Sequence, residues 1–285
     1  MVAILGCGGV ATSVPPPPYN PAPTPLEPRL IDLPEALVII AAGIAAGTIN
    51  TIVGSGSLIT FPTLLLLGYP PLVANVSNTV GLVPGTISGA IGYRRELSGQ
   101  RARARPLLVA AGLGGLTGAG LLLILPASAF ARIVPVLILL ACALVAIQPR
   151  LSKWVVERRV RLGHEPQTGG GPLLIVSVYL TGIYGGYFGA AQGVILIALL
   201  SILVDDSLQR LNGLKNLMTA AINGVAAIIF IAVAPVAWGP AVLLAIGSTI
   251  GGQLGALVGR RLSPIALRGA IIVVGTVVAV RLLLG

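Results

Sequence analysis

Apolar residues along this chain fall in long blocks separated by short polar stretches, without the strict alternation that marks half-buried strands. Ten blocks stand out, at residues 36–53, 58–67, 72–93, 106–125, 133–147, 172–188, 194–204, 211–234, 236–258 and 265–284. As a helix rising 1.5 Å per residue, a block of about 20 residues covers a hydrocarbon core roughly 30 Å thick. The second and seventh blocks are too short to cross alone and reach roughly half that depth. Backbone groups in lipid must find partners inside their own segment, which selects helices; the dyad pattern of a membrane β-barrel is missing. The expectation is all-α: a polytopic transmembrane helical bundle of about eight full spans plus two short, broken segments.

Self-comparison divides the chain in two. Gly43-Ile44 with Gly47 matches Gly182-Ile183 with Gly186, and Ser77-Asn78 matches Lys215-Asn216. Gly114-Gly115-Leu116-Thr117-Gly118-Ala119 matches Gly251-Gly252-Gln253-Leu254-Gly255-Ala256. All three pairs lie about 138 residues apart, and the two short blocks take the same place in each half. The organisation expected is a disordered Pro-rich tail over 1–35, a first membrane repeat over 36–148, a basic linker over 149–171 and a second repeat over 172–285.

Charge gives the repeats an orientation. Arg94, Arg95, Arg101, Arg103 and Arg105 separate the third and fourth blocks, whereas the equivalent stretch 231–238 has no charge. Arg132 alone marks the next turn of the first half, against Arg260, Arg261 and Arg268 in the second. Basic loops stay in the cytoplasm, so the halves are expected to be inverted, with the 149–171 linker cytoplasmic and both termini outside. Inverted repeats are an architecture of secondary transporters.

Composition agrees with the block pattern: 55% of residues are hydrophobic and 9% charged, and the mean hydropathy is +0.98. The formal net charge of +10 sits in inter-block loops, so it speaks for membrane orientation and against nucleic-acid binding. Cys7 and Cys142 are far apart, and His164 lies in the linker; no cofactor, metal or catalytic set is expected.

Polar residues inside apolar blocks mark the candidate site. The first break reads Asn50-Thr51-Ile52-Val53-Gly54-Ser55-Gly56-Ser57, and the second Phe188-Gly189-Ala190-Ala191-Gln192-Gly193. A helix restarting inside the membrane, with Ser57 as a cap, would present free N–H groups and a partial positive charge to an anion. Asn75, Ser77 and Asn78 open the third block, and Asn212, Lys215, Asn216 and Asn223 lie in the eighth. Lys215 either faces a cavity or counter-ion, or sits near the cytoplasmic end with Arg210 and snorkels. No Asp or Glu lies inside a block, so a carboxylate proton relay has no residue to use.

Asn50, Gly54–Ser57 and Thr60-Phe61-Pro62 resemble the first repeat of the TauE/SafE sulfite exporter family, as do Val73-Ala74-Asn75, Ser77-Asn78-Thr79-Val80, Pro84-Gly85 and Gly92–Glu96. The resemblance continues through Gly186–Gly193, Arg210, Asn212, Lys215-Asn216 and Asn223, and runs from residue 36 to the end. It implies a bacterial inner-membrane carrier for sulfite, sulfonates or related anions. Gly54-Ser55-Gly56-Ser57 stands where the family often has a run of glycines. The site expected is Asn50, Gly54, Ser55, Ser57, Asn75, Asn78, Gly189, Gln192, Lys215 and Asn216 around a small anionic substrate, with export favoured. An anion channel, or an uptake carrier for another sulfur-containing or carboxylate anion, is the alternative; a homo-oligomer is left open.

Overall fold

The computed structural model describes residues 31–162, 171–258 and 264–284. These form ten helices and, among the described residues, no strand: α1 (Leu33–Ile52), α2 (Ser57–Leu66), α3 (Pro71–Gly92), α4 (Arg101–Ile124), α5 (Ala127–Leu162), α6 (Gly171–Tyr187), α7 (Gln192–Leu203), α8 (Leu208–Val233), α9 (Trp238–Val258) and α10 (Pro264–Leu284). Each apolar block of the sequence holds one helix. The expected N-terminal tail falls outside the described residues except for its last few, and so do His164, Arg260 and Arg261.

The widest departure from the block boundaries is α5, which passes Pro149 and reaches Leu162, inside the stretch read as a linker. Arg, Leu, Lys and Glu in that stretch are good helix formers, so the helix outlasts its apolar part. Elsewhere the ends follow local chemistry. Asp32 caps α1 by accepting from the Glu35 N–H at 2.8 Å, and Pro34 fits the first turn. Ser207 caps α8 through the Arg210 N–H at 3.4 Å.

Among the described residues, five helices are long and apolar enough to cross a membrane, at Leu33–Ile52, Arg101–Ile124, Ala127–Arg150, Leu208–Val233 and Trp238–Leu257. Helix α3 matches them in length but buries Asn75, Ser77, Asn78 and Thr79 among its apolar residues. Large apolar side chains such as Ile124, Leu257 and Ile228 point outward, as a lipid-facing surface requires.

Close approach of backbones holds the bundle together, since apolar burial drives nothing between helices already in lipid. Helices α1 and α9 run the same way: Gly43 faces Gly247, and Thr48 Oγ1 donates to the Gly251 carbonyl at 3.1 Å. A Cβ at Gly251 would stand 2.1 Å from the Ile44 carbonyl oxygen. Helices α4 and α6 make the same joint, where a Cβ at Gly118 would stand 2.1 Å from the Ile183 oxygen. Exchanging α1–α5 for α6–α10 converts α1·α9 into α6·α4, α3·α9 into α8·α4, and α5·α7 into α10·α2, and all six pairs pack. Helices α3 and α8, which correspond under the same exchange, pack against each other.

Candidate functional site

Both short helices follow the same turn. The N–H groups of Val53 and Gly54 return to the Ile49 carbonyl at 2.7 and 3.1 Å; those of Phe188 and Gly189 return to Tyr184 at 2.9 and 3.2 Å. Gly54 (φ +93°) and Gly189 (φ +75°) take the left-handed conformation that glycine adopts without a Cβ penalty. The chain then doubles back, bringing Gly56 against the Ala46 carbonyl, so α1 and α2 form a hairpin inside the bundle. This shared turn pairs Gly54 with Gly189 and Gly47 with Gly182, one helical turn off the match of Gly47 with Gly186 expected from sequence. Glycines four apart in both helices let a sequence alignment slip by one turn. The expected Ser57 cap is also corrected: Ser57 lies within the first turn of α2, and Gly56 stands at the N-cap.

The two tips touch. Gly193 donates its N–H to the Gly54 carbonyl at 3.1 Å, and a Cβ at Gly54 would stand 2.5 Å from the Gly193 Cα. Tyr184 fixes the second tip by donating its hydroxyl to the Ala190 carbonyl at 2.7 Å. An aromatic cluster closes around Phe188, with Phe61 edge-on at 5.3 Å between ring centroids and Phe130 at 6.3 Å.

Helix α8 carries the polar groups that serve these tips. Asn212, the adjacent pair Lys215 and Asn216, Thr219 and Asn223 follow one another at helical spacing and are all buried on α8. At one end of this stretch the Thr51 carbonyl accepts from Lys215 Nζ at 2.9 Å, Asn212 Nδ2 at 3.2 Å and Asn216 Nδ2 at 3.2 Å. Lys215 Nζ also donates to the Asn50 carbonyl at 3.0 Å. These carbonyls end α1, where the helix dipole is negative and a cation is favoured. At the other end Gln192, the first residue of α7, donates to Asn223 Oδ1 at 2.7 Å. Helix α3 does the same in mirror fashion: Asn75 Nδ2 donates to the Tyr187 carbonyl at 3.0 Å, and Asn78 accepts from the Thr60 hydroxyl.

Lys215 has 0% exposure, so it neither snorkels nor reaches solvent; it is held inside the protein by the end of α1. Asn50 takes part through its carbonyl, Gly54 and Gly189 through backbone shape, and Asn75, Asn78, Gln192 and Asn216 through the bonds above. Ser55 Oγ, Thr219 Oγ1, Asn75 Oδ1, Gln192 Oε1 and Asn212 Oδ1 are buried without a hydrogen-bond partner. Such orphans are costly in a closed interior and suit a polar guest or water among them. Thr51, Thr60, Thr219 and Tyr187 were not expected as site members. The Thr219 position is readable from the polar period of α8; the carbonyls of Thr51 and Tyr187 leave no side-chain signal.

An ion-pair node closes the bundle at the basic end. Asp206 bonds Arg103 Nη1 and Arg210 Nε, each at 2.9 Å, and Arg210 Nη1 donates to the Ser98 carbonyl at 3.2 Å. Burial raises the Asp206 pKa, but the two guanidinium groups and the Ser207 N–H outweigh it and hold the carboxyl below its usual range. Beside this node a hollow of about 570 Å³ is lined by Arg94, Ser98 and Arg101 among others.

The family model for sulfite exporter TauE/SafE matches residues 39–282, which include both tips, α3 and α8. The chain belongs to the TauE/SafE family. Probable membrane transporter protein YfcA of Escherichia coli (strain K12) is 25% identical over 250 residues, covering 86% of this chain and 88% of that protein. A probable membrane transporter protein of Haemophilus influenzae is 26% identical over 219 residues, covering 77% and 83%. One from Sinorhizobium sp, called ORF9, is 25% identical over 248 residues, covering 87% and 92%. No solved structure matches significantly. This TauE/SafE chain is thus a multi-pass membrane transporter.

Proposed function

We propose that this TauE/SafE transporter is a secondary carrier of a small anion, sulfite or an organosulfonate, across the bacterial inner membrane, with export as its working direction. The observation that carries this reading is Lys215: a fully buried amine, bonded to neutral carbonyls, beside two helix tips that restart within the bundle. A buried ammonium without a carboxylate partner is costly, and an anion lodged beside the tips relieves that cost. Ser55 and Thr219 hydroxyls have protons to offer the anion, and the orphaned amide oxygens suit its bound water or a hydroxyl on a sulfonate. Direct backbone contact between Gly54 and Gly193 and the Arg103–Asp206 tie favour a gated carrier over an open channel.

The carrier reading includes two inverted repeats, α1–α5 and α6–α10. Support comes from the shared turn before α2 and α7, the exchange symmetry of the packing pairs, and the matched roles of Asn75 and Asn212 on the other half's first helix. Helices α1, α3 and α9 run parallel to one another, and so do α4 and α6; inversion would set these two groups in opposite directions. The Arg94–Arg105 loop and the α7–α8 junction then share the cytoplasmic side.

Flux of radiolabelled sulfite and methanesulfonate into proteoliposomes tests the function. Wild-type protein should carry at least one of them, and Lys215→Gln, recovered folded, should carry it about ten-fold or more slowly, the size expected when a coupled charge is lost. Wild-type-like flux in Lys215→Gln would remove the charge from the mechanism.

A further inference from the structure

We infer that Lys215 is the proton-coupling group of this carrier: its amine gains a proton as the anion binds and loses it as the anion leaves, so that anion and proton cross together. The inference rests on the anion reading above. Its ground is the shape of the Lys215 site. Nζ makes two hydrogen bonds, to the Asn50 and Thr51 carbonyls. An ammonium has three N–H groups and a neutral amine has two with a lone pair, so both forms supply these two bonds without rearrangement. Arginine would stay charged and glutamine would stay neutral; lysine is the side chain that serves both states here.

The surroundings leave the charge state to the guest. Among the described residues Lys215 has no ion-pair partner. Helices α3, α7 and α9 carry no Asp, Glu, His, Lys or Arg. Helix α6 presents Tyr179, Tyr184 and Tyr187, and α4 has Arg101, Arg103 and Arg105 in its first turns. Glu35 of α1 lies fifteen residues before Asn50, about 22 Å along the helix. Arg210 precedes Lys215 on α8 and is tied to Asp206, next to Asp205. Glu96, in the loop with Arg94 and Arg95, lies against Gly213, about 200° around α8 from Lys215. A negative guest is therefore what balances the ammonium. When the guest leaves, the Nζ–H bond breaks, the electron pair stays on nitrogen, and the proton passes to water on the open side.

Linkage fixes the sign. If the anion favours the protonated lysine, protons favour the anion by the same factor, and anion affinity falls as pH rises. One proton with a monovalent anion moves no net charge, so the membrane potential does not set the direction of flux; net export runs when the outward anion gradient exceeds an opposing acid-outside pH gradient.

Purified full-length protein in nanodiscs, weakly buffered with a pH dye, gives the test. Methanesulfonate and sulfite are added while bound radiolabel is counted; methanesulfonate keeps its charge throughout. Wild-type protein should take up about one proton per methanesulfonate bound, Lys215→Arg less than about a tenth of that, and Lys153→Arg, at the other lysine, as much as wild type. In proteoliposomes an acid-outside gradient should drive methanesulfonate inward through the wild type. Methanesulfonate binding without proton uptake in wild-type protein, a result that needs no variant to fold, overturns the coupling and leaves the anion reading standing. So does proton uptake that survives in Lys215→Arg. If neither anion binds, the anion reading fails and the coupling falls with it.

Discussion

A methyl group added at Gly54 would stand 2.5 Å from the Gly193 Cα, and Gly54 itself holds φ +93°. Both penalties fall on Gly54→Ala, so we expect it to destabilise the protein by about 1–3 kcal/mol or more, read as a lower unfolding midpoint in detergent. Gly120→Ala gives the contrast: its new Cβ meets nothing within 4 Å, and alanine is the better helix former by up to about 1 kcal/mol. Its midpoint should stay or rise. Equal losses at the two sites would mean that the tip contact is not special. Gly54 and Gly189 stand out in the sequence as breaks, but only the coordinates show that Gly54 opposes Gly193. Lys215 was visible as an oddity, a lysine in an apolar block. Its partners were not, because a main-chain carbonyl looks the same at every position of a sequence.

Helices α4 and α6 approach closely enough that a Cβ at Gly118 would overlap the Ile183 oxygen. Valine there cannot be accommodated by a rotamer change, since the neighbour is backbone. Gly118→Val should therefore separate the two helices and cost more than about 3 kcal/mol, at or beyond the upper range for overpacked cores. Recovery of monodisperse protein by size exclusion should fall steeply. Gly224→Ala on α8, with nothing within 4 Å, should be recovered like wild type. The sequence already showed glycines in both helices; which pairs of helices they join is a matter of assembly. The polar period of α8 was legible in the same partial way. Asn212, Lys215, Asn216 and Asn223 announce a buried polar face, while the two chain ends that it serves come from α1 and α7.

The node at Asp206 ties the α3–α4 side of the bundle to the α7–α8 junction. Because folding lowers the Asp206 pKa, its contribution is present above the unfolded carboxylate value near 4 and is lost as pH falls through the lower, folded one. Asp206→Asn should thus lower the unfolding midpoint at neutral pH, and the gap to wild type should shrink in acid. A gap independent of pH would show that Asp206 acts by packing alone. The arrangement of the whole bundle can be checked by labelling. With Cys7 and Cys142 replaced, cysteines at Ser98 and Val236 should react with a membrane-impermeant maleimide from opposite sides, Ser98 from the cytoplasm. Labelling of both from one side would undo the inverted topology.

Sequence alone determined that the chain lies in a membrane, that it is helical, that it divides into ten segments, and that two of these are broken. Hydrophobic length and polar interruption are local properties, and lipid punishes any exception to them. Tertiary structure decided where the interruptions meet. Glycines spaced by four allowed the repeat to be matched one turn out of register, and the turn-forming bonds from Val53, Gly54, Phe188 and Gly189 resolved it. The bonds on Lys215 join residues more than 160 positions apart. Such a contact depends on how helices stack, and no local pattern encodes it.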